Sequence, residues 1–255
     1  MLQTCPEKSH GERAVARSLH ATRLRRRVNT IKREHDTYLY TLILLSVFTS
    51  IVSFLFFFSS HLTTIYPDSQ ARLMIARRVI ASPTAGFGQL GGTWLPLPQI
   101  LMLPFIWSQE LYSTGIAGSL ISMGSFVITA LFLYKTVYLV TDNRIAGSIA
   151  TLVFITNPNV LFMQSTAMSE LQLFALLIVP VYFMVCWARE PRHVGALCTS
   201  ALLAALGVIT RYEAWVLVPL LTLVIIWTGI RYRFSRGRFE GFLLGPCASW
   251  GRQAP

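Results

Sequence analysis

Apolar positions in this chain fall in long runs and seldom alternate with polar ones. The runs cover 38–58, 116–140, 145–164, 171–188, 194–210 and 214–230, each near the ~20 residues a helix needs to cross a bilayer core. Backbone N–H and C=O groups in lipid must be paired within their own segment, and a helix does that in one continuous run. The pattern predicts an all-α polytopic membrane protein with six transmembrane helices. Three regions follow: a basic cytoplasmic tail (1–37), a membrane domain (38–230) whose outer loop spans 59–115, and a closing stretch (231–255). The first run lies too far from the start, and lacks the small-residue cleavage site, for a secretory signal, so it reads as an uncleaved anchor.

The outer loop carries two weaker signals, read as one or two interfacial helices. After Pro67, the spacing of Leu73, Ala76 and Ile80 puts them on one helical face, which is expected to rest on the membrane. The run 93–107 is broken by Pro96, Pro98 and Pro104 and reads as an interfacial or re-entrant piece, too short to span.

Composition agrees with the runs. Hydrophobic residues make up 53% and charged residues 13%, with mean hydropathy +0.54, against roughly 25% charged in soluble domains. The net charge of +11 would fit nucleic acid, but the basic residues are scattered between apolar runs and form no basic, aromatic-studded domain. The positive-inside rule accounts for them. With six spans, Arg23, Arg25, Arg26, Arg27, Lys32, Arg33, Arg144, Arg189, Arg192, Arg231, Arg233, Arg236 and Arg238 are cytoplasmic, and only Arg72, Arg77, Arg78 and Arg211 are outside. If 93–107 crossed, the RYRFSRGR cluster would be outside. Trp94, Trp107, Trp187, Trp215 and Trp227 fall at run ends, as an aromatic belt would. Cys5, Cys186, Cys198 and Cys247 have neither zinc nor disulfide spacing. No P-loop, G-x-G-x-x-G, H-E-x-x-H or G-x-S-x-G is present.

Candidate chemistry gathers at the outer boundary. Asp68 is the one acidic residue near the start of the loop. It reads either as a helix N-cap with Arg72 as its i+4 partner, or as a general base at the membrane surface. Arg72, Arg77 and Arg78 cannot share one face; some meet lipid phosphates, and one is suited to hold a specific phosphate. Arg211, in TRYEAW between two apolar runs, is a boundary ion beside Glu213. Glu170 either compensates a helix N-terminus or shares base and metal- or phosphate-related work with Asp68. The stretch Asn157, Pro158, Asn159 interrupts a span, and the backbone groups it frees need a protein or cavity partner. His61 reads as a belt residue and Lys135 as a snorkelling one.

In the order of these features the chain resembles the C-type (GT-C) membrane glycosyltransferases, close to the protein O-mannosyltransferase and aminoarabinose-transferase branch. The segments that carry the likeness are YPDSQARLMIARR with Asp68, the Pro-rich GGTWLPLPQIL, NPNVLFMQSTAMSE and TRYEAW, the last two similar to bacterial members. The resemblance implies transfer of a sugar from a polyprenyl-phosphate carrier, with inversion, to a protein, lipid or glycan acceptor on the outer face of a plasma membrane. Asp68 would be the base and Glu170 a second acidic loop residue, with Arg211 and Arg72 on the donor phosphate; a divalent metal is left open. Members of that family are longer, with more spans, so this chain reads as a fragment, a frameshifted product or a natural short form. A transporter or flippase, or a non-catalytic membrane subunit, is the alternative.

Overall fold

The computed structural model describes residues 37–90 and 93–244, with side chains as far as 232. The basic tail and the last residues of the chain, 245–255, lie outside the described residues. Those described are helical, with no strand among them. Ten α-helices follow in order: α1 (Thr37–Ser59), α2 (Pro67–Ala81), α3 (Leu97–Met102), α4 (Gln109–Ser113), α5 (Ile116–Thr141), α6 (Arg144–Ile155), α7 (Pro158–Gln164), α8 (Glu170–Arg189), α9 (Val194–Val208) and α10 (Leu217–Leu244).

The all-α membrane architecture is as the runs predict, while the count of spans is less even. Helices α1, α5, α8 and the stretch Tyr212–Tyr232 are long and apolar enough to cross a bilayer. The run 145–164 is a pair, α6 and α7, bent by 64° at its break. Helix α9 has 15 residues, a rise of about 22 Å against a hydrocarbon core of about 30 Å. The segment 93–107 does not span: α3 has six residues and rises about 9 Å. Helix α10 continues without a break through the basic stretch after 230.

The bundle is built chiefly on α5 against α8, α8 against α9 and α5 against α6. Pro180, inside α8, has no N–H to offer the carbonyl of Leu176. Gly207 of α9 closes on that carbonyl, so that a Cβ there would sit 3.4 Å from it. Ser200 of α9 donates to the Pro180 carbonyl at 2.8 Å. The helix-breaking residue thus becomes the seam to the next helix, with small residues allowing the approach. Helix α1 shows the protein a stripe of Leu42, Ser46, Ser50 and Ser53, while Leu44, Phe48, Leu55 and Phe56 remain exposed, as a lipid-facing helix requires.

The break in the third run is fully accounted for. Asn157 caps α7 by accepting from the N–H groups of Asn159 and Val160. Gln164, wholly buried, accepts from Ser50 Oγ at 2.7 Å and donates to the Ser50 carbonyl at 3.1 Å. Ser53 donates to the Leu161 carbonyl, and Ser119 and Ser122 of α5 donate to the carbonyls of Ser165 and Met168. These bonds to protein supply the partners that backbone freed within a bilayer needs. Gly118 permits this strap: a Cβ there would lie 2.2 Å from the Ala167 Cβ.

The segment between α1 and α5 packs onto one end of the bundle as a boundary layer. Its α2 does not rest its apolar face on the membrane. Leu73 and Ala76 are buried against Met102, Ile106, Ala117 and Ala167, with Ile80 beside them. Protein covers that face because α3, the start of α5 and the 165–169 strap converge there. The aromatic belt also divides. Trp107, Trp215 and Trp227 are exposed, Trp187 is buried in the α8–α10 core, and Trp94 stacks on Arg72.

Candidate functional site

The three arginines of α2 have three different surroundings, set by their angular positions on one helix. Arg78 points outward and meets only Met74 Sδ. Arg77 braces the boundary layer, donating through Nη1 to the Ile106 carbonyl at 2.5 Å and through Nη2 to Gln109 Oε1 at 3.1 Å. Arg72 faces inward and is only 3% exposed. Its guanidinium lies 4.3 Å from the centre of the Trp94 ring, a cation–π contact. Its Nε and Nη1 are buried with no hydrogen-bond partner among the described residues. A buried unpaired donor costs about 1–3 kcal/mol, more when charged, so this one is either a defect or a ligand group.

Arg211 stands at the junction of α9 and the 3₁₀ turn Tyr212–Val216, where the chain is extended. Its Nη1 donates to Glu170 Oε1 at 2.6 Å and to Ser169 Oγ at 3.2 Å. Nε and Nη2 meet both oxygens of Glu213, at 3.2 and 2.7 Å. Hydrogen bonding to Glu213 raises the Arg211 pKa, partly offset by burial, with Glu170 adding to the rise. For Arg72 burial dominates and pulls the guanidinium below its ordinary value, while Glu170 pulls upward; Arg211, Asp68 and Glu213 act on it more weakly. Arginine nonetheless stays charged in proteins. The other three predicted site residues, Asp68, Glu170 and Arg211, thus all act electrostatically on Arg72.

Two openings meet here. Arg72, Thr93, Trp94, Thr210, Arg211 and Glu213 line a polar cavity of about 270 Å³. The strap 93–97 forms one wall and is tied down twice, by Leu97 N–H to the Ile209 carbonyl and by Tyr212 Oη to the Thr93 carbonyl. A second cavity of about 530 Å³ runs between α5, α6, α8 and α10, with walls of Leu133, Phe154, Phe174, Leu177 and Leu217. Glu213 lines both. Glu170 keeps Oε2 buried and unpaired, and Gln172, one half-turn on, has both amide atoms buried without partners.

Of the two readings of Asp68, the helix cap with Arg72 as its i+4 partner is not what forms. Tyr66 is the N-cap of α2, Pro67 opens the helix and Asp68 lies within its first turn, exposed. No ion pair joins Asp68 to Arg72, because Arg72 turns inward beneath Trp94. Asp68 does not line the polar cavity; it sits one helical turn, about 6 Å along the axis, from Arg72. Glu170 both opens α8, as charge compensation requires, and pairs with Arg211. The roles of Trp94 and Glu213 as cavity walls were not legible in the sequence, although TRYEAW drew notice to Glu213. His61 is exposed, and Lys135 lies over the Phe132 ring at 5.2 Å. Among the described residues no three His, Cys, Asp or Glu groups gather as metal ligands.

Compared with known proteins, the chain matches no family model, no curated protein and no solved structure.

Proposed function

We infer that the protein transfers a sugar from a polyprenyl-phosphate donor to an acceptor at the outer face of a bacterial-type plasma membrane. One observation carries the reading: a cavity holding a desolvated, half-unpartnered arginine adjoins an apolar groove in the bundle side, with Glu213 common to both. An amphipathic donor has those two parts. Its phosphate suits Arg72 and Arg211, which neutralise charge as the phosphate departs. Its isoprenoid chain suits the groove. Asp68, exposed a turn away from Arg72 on α2, accepts the proton of the attacking hydroxyl. The charge cluster lies at the membrane boundary. Transporters tend to hold such groups at the midplane, so surface chemistry is favoured over passage.

The test is transfer from a polyprenyl-phosphate sugar by the purified full chain in lipid nanodiscs, with protein, lipid and glycan acceptors supplied in turn. Asp68→Asn is expected to lower transfer about 10²-fold while farnesyl phosphate still binds. Full activity in that variant would remove Asp68 from the mechanism. Lipid movement across the bilayer without transfer would instead mean a flippase, and neither activity a non-catalytic subunit. The orientation is checked by labelling cysteines placed at Ala85 and Pro191. Reagent outside the cell should reach the first and not the second, and the reverse pattern would invert the topology.

A further inference from the structure

We propose that Glu213 is an internal stand-in for the ligand's anion: it occupies the binding edge of Arg211 in the free protein and is displaced when a phosphate-bearing lipid enters. This rests on the donor-site reading above and adds to it the step by which the site chooses charged headgroups.

A guanidinium has five N–H donors. Arg211 directs Nη1 to Ser169 and Glu170, and Nε with Nη2 to Glu213. The Nε–Nη2 edge offers two parallel N–H groups, the geometry that takes a carboxylate or phosphate side-on. Glu213 covers it completely. No phosphate can therefore engage Arg211 in that bidentate manner until Glu213 leaves. On the same cavity Arg72 presents the opposite condition, with Nε and Nη1 buried and unpaired. Its separation from water is already complete, so an arriving anion gains hydrogen bonds there with little further desolvation of Arg72.

The two carboxylates on Arg211 are not equivalent. The Glu170 side chain is 18% exposed and that of Glu213 57%. Exposed ion pairs are weak, so Glu213 is the one that yields, and Glu170 keeps Arg211 aimed. Glu213 also stands where groove and polar cavity meet. A chain entering by the groove brings its headgroup to this carboxylate, and only an anion competes with it for Arg211. An uncharged isoprenoid does not. Discrimination against uncharged lipids is thus built in as competition, a cost laid on the wrong partner.

Binding of farnesyl phosphate, farnesol and inorganic phosphate to the full chain in nanodiscs tests this, with wild type, Glu213→Gln and Glu213→Asp compared and thermal melting as the check on folding. Glu213→Gln keeps shape and loses charge. It should bind farnesyl phosphate about 3- to 10-fold more tightly and farnesol unchanged, with Glu213→Asp between. Equal or weaker farnesyl phosphate binding in Glu213→Gln, with wild type still binding, overturns the stand-in while leaving the donor site. Parallel tightening of farnesol overturns it too, since groove polarity would be the cause. A gain for inorganic phosphate alone overturns the lipid part and assigns a soluble anion. If no variant binds farnesyl phosphate, the donor-site reading fails first and takes this inference with it.

Discussion

Two polar regions are buried in this protein, and they are finished differently. In the strap from Asn157 to Ser169, the side chains of Asn157, Gln164, Ser165 and Thr166 and the serines facing them are paired with protein. Around the boundary cavity, Arg72 on its wall and Glu170 and Gln172 on the neighbouring α8 keep buried atoms without partners among the described residues. Both regions interrupt apolar runs, and both contain residues that look costly in a membrane. Only the second has polar capacity to spare. A saturated network fixes a fold, and an unsaturated one is either strain or a place for a ligand.

The widest test of that contrast is at Arg211. Arg211→Gln removes the only group that links Glu170 to Glu213, and transfer is expected to fall by about 10²–10³-fold, read as product formation at saturating donor. A loss below about tenfold would mean that phosphate charge is met elsewhere. Next comes a pair with opposite signs. Gln164→Leu takes away the side-chain partner of Ser50 Oγ, and should lower unfolding stability by about 1–2 kcal/mol. Arg72→Leu removes an unpaired buried charge, so stability should hold or rise, while farnesyl phosphate binding weakens. Thermal melting of both variants in one detergent decides it; a destabilised Arg72→Leu would make Arg72 a structural residue held by Trp94. The smallest effect on donor binding is expected at Gly118. A Gly118→Ala methyl meets Ala167 at 2.2 Å, and overpacking of this kind costs about 1–3 kcal/mol, lowered if the strap shifts. Donor binding should be unchanged, because the strap is scaffold.

Much of the fold was legible because bilayer physics is coarse. Runs of about 20 apolar residues located α1, α5, α8 and the stretch after Arg211, and three prolines excluded a span at 93–107. The run 145–164 satisfied the same length rule yet bends by 64°. Length and hydropathy carry no record of Asn157 turning its side chain onto the next turn's N–H groups, although the Asn-Pro-Asn stretch marked the break. Helix α9 illustrates the opposite error: the apolar composition of 194–210 runs past the helix end at Val208, where the chain turns toward Arg211.

The candidate site divides along the same line. Sequence alone determined that Asp68, Arg72, Glu170 and Arg211 lie near membrane boundaries, because charge is excluded from apolar runs and must collect where they end. It determined the residue types, and with them the chemistry available. Tertiary structure alone decided which arginine of α2 turns inward, since Arg72, Arg77 and Arg78 differ only in angle around one helix. It also decided that Trp94, 22 residues beyond Arg72 in the chain, caps its guanidinium, and that Glu170 reaches Arg211 from 41 residues away. These are contacts between distant segments, fixed by how helices pack, and one-dimensional spacing holds no information about them beyond the few residues of a helical turn.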